Sequence, residues 1–112
     1  MGKIIKTKPM RELYYRASRV ARALGDPAKY TIVQLLLENG PLSVGEIVRS
    51  AKRSQPTVSY HLAQLRNLEI VRYETKPDGS YYWIKYPEEI RKILSALNNF
   101  IDRVLQGVED ED

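Results

Sequence analysis

Apolar residues recur at helical spacing through most of the chain, and glycine and proline signals cut that pattern into separate elements. Leu13, Ala17, Val20, Ala21 and Leu24 share one side of a helix, which predicts an amphipathic first helix over residues 10–24. Gly25 stops it and Asp26-Pro27 restarts the chain. Asp26 suits an N-cap, and Pro27 suits the first helical position, where its missing N–H costs nothing. A second helix runs to about Asn39 with Ile32, Val33, Leu36 and Leu37 inward, and Gly40 closes it. Ser43-Val44-Gly45-Glu46 then reads as a capping box opening a short third helix, whose buried stripe is Val44, Ile47, Val48 and Ala51. Ser54 offers the next N-cap and Pro56 sits in the first turn. A fourth helix continues to about Leu68, with Val58, Leu62 and Leu65 on its inner side. Two short helices joined by a tight turn form a helix-turn-helix.

The period then switches to two. Residues 70–75 and 80–86 are rich in β-branched and aromatic side chains, and Lys76-Pro77-Asp78-Gly79 between them is a turn signal. A hairpin directly after a helix-turn-helix makes a winged helix. Pro87-Glu88-Glu89 opens a last helix with its acids near the positive N-terminal end. Its apolar stripe is Ile90, Ile93, Leu94, Leu97, Ile101, Val104 and Leu105. The expected fold class is mainly α with a β-hairpin: four helices, two strands and a fifth helix. One winged-helix domain spans residues 10–106, between a flexible basic arm at residues 1–9 and an acidic tail at residues 107–112.

The length of 112 residues fits a single domain, and 43% apolar with 29% charged residues fits a soluble globular chain. The absence of cysteine excludes a disulfide scaffold, thiolate metal ligands and a cysteine nucleophile, and a single histidine leaves little for a metal site or catalytic dyad. No nucleophile–base pair, phosphate loop or carboxylate dyad is present, so neither an enzyme nor a cofactor is expected. No apolar run is long enough to span a membrane, and the start lacks the apolar core of a signal peptide. The expected location is cytoplasmic, at the nucleoid.

The net charge of +4 conceals an asymmetry. Residues 1–22 carry Lys3, Lys6, Lys8, Arg11, Arg16, Arg19 and Arg22 against Glu12 alone, while residues 109–112 are all acidic. With those four acids set aside, 18 basic groups face 10 acidic ones, near +8. A basic body of this size favours polyanions, since neutralising phosphates releases counterions.

That charge gives the fourth helix its chemistry. Opposite its apolar stripe lie Pro56 and Tyr60, with Thr57, Ala63 and Gln64 beside them and Gln55 and Ser59 flanking. No acid occurs from Gln55 to Arg66, and Lys52, Arg53 and Arg66 bracket the helix. Gln pairs with adenine edges, Ser and Thr bond bases or phosphates, and Tyr stacks or donates to phosphate. His61 falls at the core edge, as a half-buried group touching the DNA backbone. Arg72 and Lys85 on the strands and Lys76 at the wing tip suit phosphate contact, although basic edge strands also serve to prevent aggregation. Tyr81, Tyr82 and Trp83 read as hairpin packing. The stripe of the last helix exceeds what a small core covers, so Leu13, Ala17, Val20, Ile90, Ile93, Leu94, Leu97, Ile101 and Val104 are expected in a homodimer interface; folding back on its own domain is the alternative.

The chain from Ala21 to Leu105 resembles the ArsR family of dimeric winged-helix transcriptional regulators. Ser54-Gln55-Pro56-Thr57-Val58-Ser59-Tyr60-His61-Leu62-Ala63-Gln64-Leu65-Arg66 is similar to the family's recognition-helix motif. Ala23-Leu24-Gly25-Asp26-Pro27 is similar to its helix-two entry, and Asp78-Gly79 falls where its wing turns. The resemblance implies a homodimer built from the first and last helices. It also implies operator contacts at Gln55, Thr57, Ser59, Tyr60 and His61, with the wing on the backbone. Two departures stand out. Where the family has a small residue and Gly before the wing, this chain has Asn67-Leu68-Glu69, so a different turn into the strand is expected. The cysteine pairs or Asp/His sets through which many members sense metals or thiol oxidants are missing, which leaves an organic effector or none. The expected function is a sequence-specific dimeric repressor of transcription that binds a double-stranded operator and has lost that sensor. The alternatives are a protein-interaction module and a non-specific nucleic-acid-packaging protein.

Overall fold

The computed structural model describes residues 2–4 and 11–110. The expected basic arm at residues 1–9 lies mostly outside the described residues. The elements run α1 (Glu12–Leu24), α2 (Pro27–Asn39), β1 (Leu42–Ser43), α3 (Val44–Ala51), α4 (Gln55–Asn67), β2 (Val71–Lys76), β3 (Gly79–Ile84) and α5 (Pro87–Asp110). This is the winged helix-turn-helix that the periodicities predict.

The helix starts are set by their caps. The Asp26 carboxylate accepts from the backbone N–H of Ala28 at 2.9 Å and of Lys29 at 3.2 Å. Those bonds, led by that from Lys29, hold the Asp26 carboxyl below the ordinary carboxylate range. At α3 the capping box is complete: Glu46 N–H donates to Ser43 Oγ, and Ser43 N–H donates to the Glu46 carboxylate.

Leu42-Ser43 forms a third strand, pairing antiparallel with Tyr82 and Tyr81 of β3, so the sheet order is β1-β3-β2. The sequence does not announce it, because two residues display no period. In the hairpin Val71 faces Ile84, Tyr73 faces Tyr82, and Lys76 faces Gly79 across the Pro77-Asp78 turn.

Beneath the sheet, Ile32, Val33, Ile47, Val58, Leu62, Leu65 and Val71 are fully buried in one core. Ile84, Ile90 and Leu94 complete it from β3 and the start of α5. This corrects the expectation for α5. Ile90 and Leu94, expected at the dimer interface, are buried inside their own chain, because the first turns of α5 fold back on the domain. Val20 is also partly buried against this core. From Ile93 onward the rest of the stripe leaves cover: Ile93, Leu97, Phe100, Ile101, Val104, Leu105 and Val108 are each between 40% and 64% exposed. Leu13, Tyr14 and Tyr15 on α1 are similarly open. The helix continues through Gly107 to Asp110, four residues into the stretch expected as an acidic tail.

The turn from α4 into β2 closes on a left-handed residue that is not glycine. Ile70 N–H donates to Leu65 C=O and Glu69 N–H to Arg66 C=O, both at 3.0 Å, with Glu69 at φ 64°. This is a Schellman closure in which Ile70 and Leu65 are both buried, as its hydrophobic contact requires. Glu69 bears the steric cost of that conformation and accepts a 2.9 Å hydrogen bond from Lys85 Nζ.

Candidate nucleic-acid interface

The α3–α4 turn is set by Lys52, which ends α3 in the left-handed region at φ 54°, and by Ser54, which begins α4. Ser54 Oγ donates to Thr57 Oγ1 at 2.8 Å and weakly caps Thr57 N–H at 3.4 Å. Val58, Leu62 and Leu65 anchor α4 in the core, which aims the opposite side outward. Gln55, Ser59, Tyr60 and Arg66 are exposed, and Thr57 and Gln64 are half-buried beside them. Gln64 Nε2 donates to the Tyr60 hydroxyl at 2.7 Å, so the two side chains present one preset polar unit. No carboxylate lies anywhere on α4, and exposed Lys52 and Arg53 stand just before it. Such a surface presents donors and adaptable hydroxyls to an anionic groove with no charge opposing approach.

His61 is buried more deeply than a half-buried edge position. It is only 9% exposed, its ring packs edge-on against Tyr60 at 5.5 Å between centroids, and its Nδ1 is buried without a partner. Burial pushes its pKa down, and nearby Lys29 and Arg53 push the same way against Asp26. His61 is thus a packing group against Tyr60, as its place at the core edge predicts.

The hairpin divides its cations. Arg66 stacks over Tyr73 at 5.0 Å, and Tyr73 stacks on Tyr82 with centroids 5.4 Å apart. Arg66 thus ties the end of α4 to the wing through its guanidinium plane. Lys76 lies at the tip, over the Tyr81 ring at 5.3 Å, and Tyr81 donates to the Asp78 carboxylate at 2.7 Å. Arg72 faces Trp83 across the hairpin and so stands on the sheet face opposite Val71 and Tyr73. It is not brought together with Arg66.

Sequence reasoning missed a basic cleft beside α4. Arg19 and Arg22 of α1 and Lys29 of α2 line it together with Tyr60 and Gln64. Lys29 is buried, with its ammonium 3.6 Å from the Asp26 carboxylate and 5.8 Å from the Tyr60 ring centroid. The surplus of basic residues in the first helix was the signal. Only the fold reveals that it abuts the polar face of α4.

Among the described residues no group of three or more His, Asp or Glu side chains is placed to hold a metal ion, and no helix is long and apolar enough to cross a membrane.

Residues 26–73 match the family model described as bacterial regulatory protein, arsR family. An uncharacterised HTH-type transcriptional regulator of Methanocaldococcus jannaschii is 32% identical over 87 residues, covering 78% of this chain and 97% of that protein. The solved transcriptional repressor BigR of Xylella fastidiosa is 28% identical with a TM-score of 0.66, over 80% of this chain and 92% of that one. A homodimeric winged helix-turn-helix DNA-binding domain from Mycobacterium bovis shares the fold, with 23% identity and a TM-score of 0.73 over 84% of this chain and 85% of that one. With the matched segment running from the α2 cap through the recognition helix into the wing, the chain belongs to the ArsR family of winged helix-turn-helix transcriptional regulators.

Proposed function

We propose that this chain is a homodimeric, sequence-specific repressor that binds a two-fold operator through α4 and the wing, without the family's metal or thiol sensor. The observation that carries this reading is the exposed side of α4: Gln55, Ser59, Tyr60 and Gln64 with no carboxylate on the helix, next to Lys52 and Arg53. A protein-docking helix has no need of an acid-free face, whereas a helix entering a groove lined by phosphates does. Gln55, Thr57, Ser59, Tyr60 and Gln64 address base edges and adjacent phosphates, and Lys52, Arg53, Arg66 and Lys76 address the backbone. Exposed Arg19 and Arg22 extend the same positive surface.

Homodimerisation is supported by the uncovered apolar side chains of α5 and α1, from Leu13 and Ala17 to Leu97, Ile101 and Val104, and by the homodimeric Mycobacterium bovis domain of the same fold. Repression is supported by the likeness to the transcriptional repressor BigR. Loss of the thiol sensor is supported by the absence of cysteine. Such a protein works in the cytoplasm, at the nucleoid.

Duplex-binding titrations on the Gln55→Ala and Tyr60→Ala variants test the assignment. Each bidentate base contact accounts for roughly 1–3 kcal/mol of discrimination. Gln55→Ala is therefore expected to flatten base preference in both half-sites, and Tyr60→Ala to weaken binding. Unchanged affinity and preference in both variants refute the role given to α4.

A further inference from the structure

A second cavity lies on the far side of the wing from α4 and has no part in the reading above. It holds about 420 Å³ between the end of α2, the outer hairpin face and the start of α5. That volume falls within the roughly 300–1,000 Å³ of small-molecule sites. Its walls are apolar and largely flat: Leu36 and Leu37 from α2, Pro41, and the aromatic rings of Tyr81 and Trp83. Its charged lining is Lys76 and Arg91 against Glu74, with Glu88 paired to Arg91 at its edge. Arg91 spends one nitrogen on Glu88 and a second, weakly, on the Leu37 carbonyl at 3.4 Å. A guanidinium has five N–H donors in a planar fork, so three remain for a ligand.

We infer that this cavity binds a small aromatic monocarboxylate, its ring against Trp83 and its carboxylate on Arg91, within reach of Lys76. The walls call for an apolar, flat body, and the unused N–H donors of Arg91, with Lys76 on the same lining, call for one carboxylate. The same placement supplies a regulatory link. Lys76 lines this cavity and is also the wing-tip cation of the DNA reading. One ammonium cannot serve a ligand carboxylate and a phosphate at full strength together, so ligand binding withdraws the wing tip from DNA. This link rests on the DNA-binding reading; the site itself does not.

Trp83 is the chain's sole tryptophan, so its fluorescence reports occupancy directly. The full chain, without DNA, is titrated with benzoate, phenylacetate and cinnamate, and in parallel with the corresponding neutral amides. A saturable change with at least one acid is expected, about tenfold or more weaker for its amide and for the Arg91→Gln variant, with partial recovery in Arg91→Lys. Arg91 is exposed, and circular dichroism verifies that its variants stay folded. No saturable change with any acid, equal response to acid and amide, or wild-type binding by folded Arg91→Gln overturns the site. The acid that binds is then added to duplex titrations. Weaker duplex binding, with the salt slope reduced by about 0.9 per protomer, is expected for the wild type and not for Lys76→Ala. A saturating acid that leaves the wild-type slope unchanged overturns the link through Lys76. Because the fluorescence titration contains no DNA, failure of the site and failure of the DNA reading give different results.

Discussion

Replacing Lys76 with alanine separates backbone contact from base reading. Lys76 is exposed at the hairpin tip, and among the described residues its recorded partner is the Tyr81 ring, with no salt bridge. Its removal therefore leaves stability within about 0.5 kcal/mol, as for surface sites generally. In a dimer on DNA, however, it deletes two phosphate contacts at once. Each contributes about 0.9 to the slope of log affinity against log salt, so the slope becomes shallower by about 1.8. Between roughly 50 and 200 mM salt the wild type then loses about twelvefold more affinity than the variant. The assay is fluorescence anisotropy with one labelled duplex at several salt concentrations. Lys92→Ala on α5 serves as a charge-matched control and is expected to keep the wild-type slope. Base preference is expected to survive Lys76→Ala. A slope unaltered by Lys76→Ala, or one reduced equally by Lys92→Ala, refutes the placement of the wing on the backbone.

Three further outcomes follow from the geometry. Leu97→Asp and Ile101→Asp are expected to yield folded monomers in sedimentation equilibrium with weakened duplex binding, whereas Leu94→Asp places an unpaired charge in the core and unfolds the chain. His61 has a folded pKa below its unfolded value, so the unfolded state binds more protons in the window between them. Stability is therefore full above about pH 6.5 and falls as pH drops from there toward the folded pKa. Urea titrations across that window are expected to show this slope and to lose part of it in His61→Leu; an unaltered slope counts against the buried neutral imidazole. At the α4–β2 turn, Glu69→Gly is expected to be more stable than Glu69→Ala by roughly 1 kcal/mol, because only the alanine retains a Cβ in the left-handed region. The reverse order in thermal denaturation contradicts the Schellman geometry.

The features legible in the sequence are those with a local physical cause. Asp26, the Ser43–Glu46 box and Ser54 mark helix starts because each satisfies backbone donors within its own turn. The hairpin is legible because side chains alternate along residues long enough to show it. What escaped depends on distant segments meeting. The stripe of α5 is continuous in sequence, yet Ile90 and Leu94 reach the core while Ile101 does not, and only the packing of α5 onto the domain divides them. His61 sits at an angle on α4 where burial is decided by the packing around it, so its burial was underread. The basic cleft needed Arg19, Arg22 and Lys29 to come together with Tyr60 from three helices. At Glu69 the backbone hydrogen bonds hold a left-handed residue that is not glycine, so the residue type does not disclose the conformation.

The central claim is that two copies of α4 read one two-fold site. Selection of bound duplexes from a random pool by the purified full chain tests it most directly. The expected product is an inverted repeat whose half-sites lie one helical turn apart, about 10–10.5 base pairs centre to centre, or a multiple of it. A pool that stays random, or one that converges on a single asymmetric half-site, contradicts it.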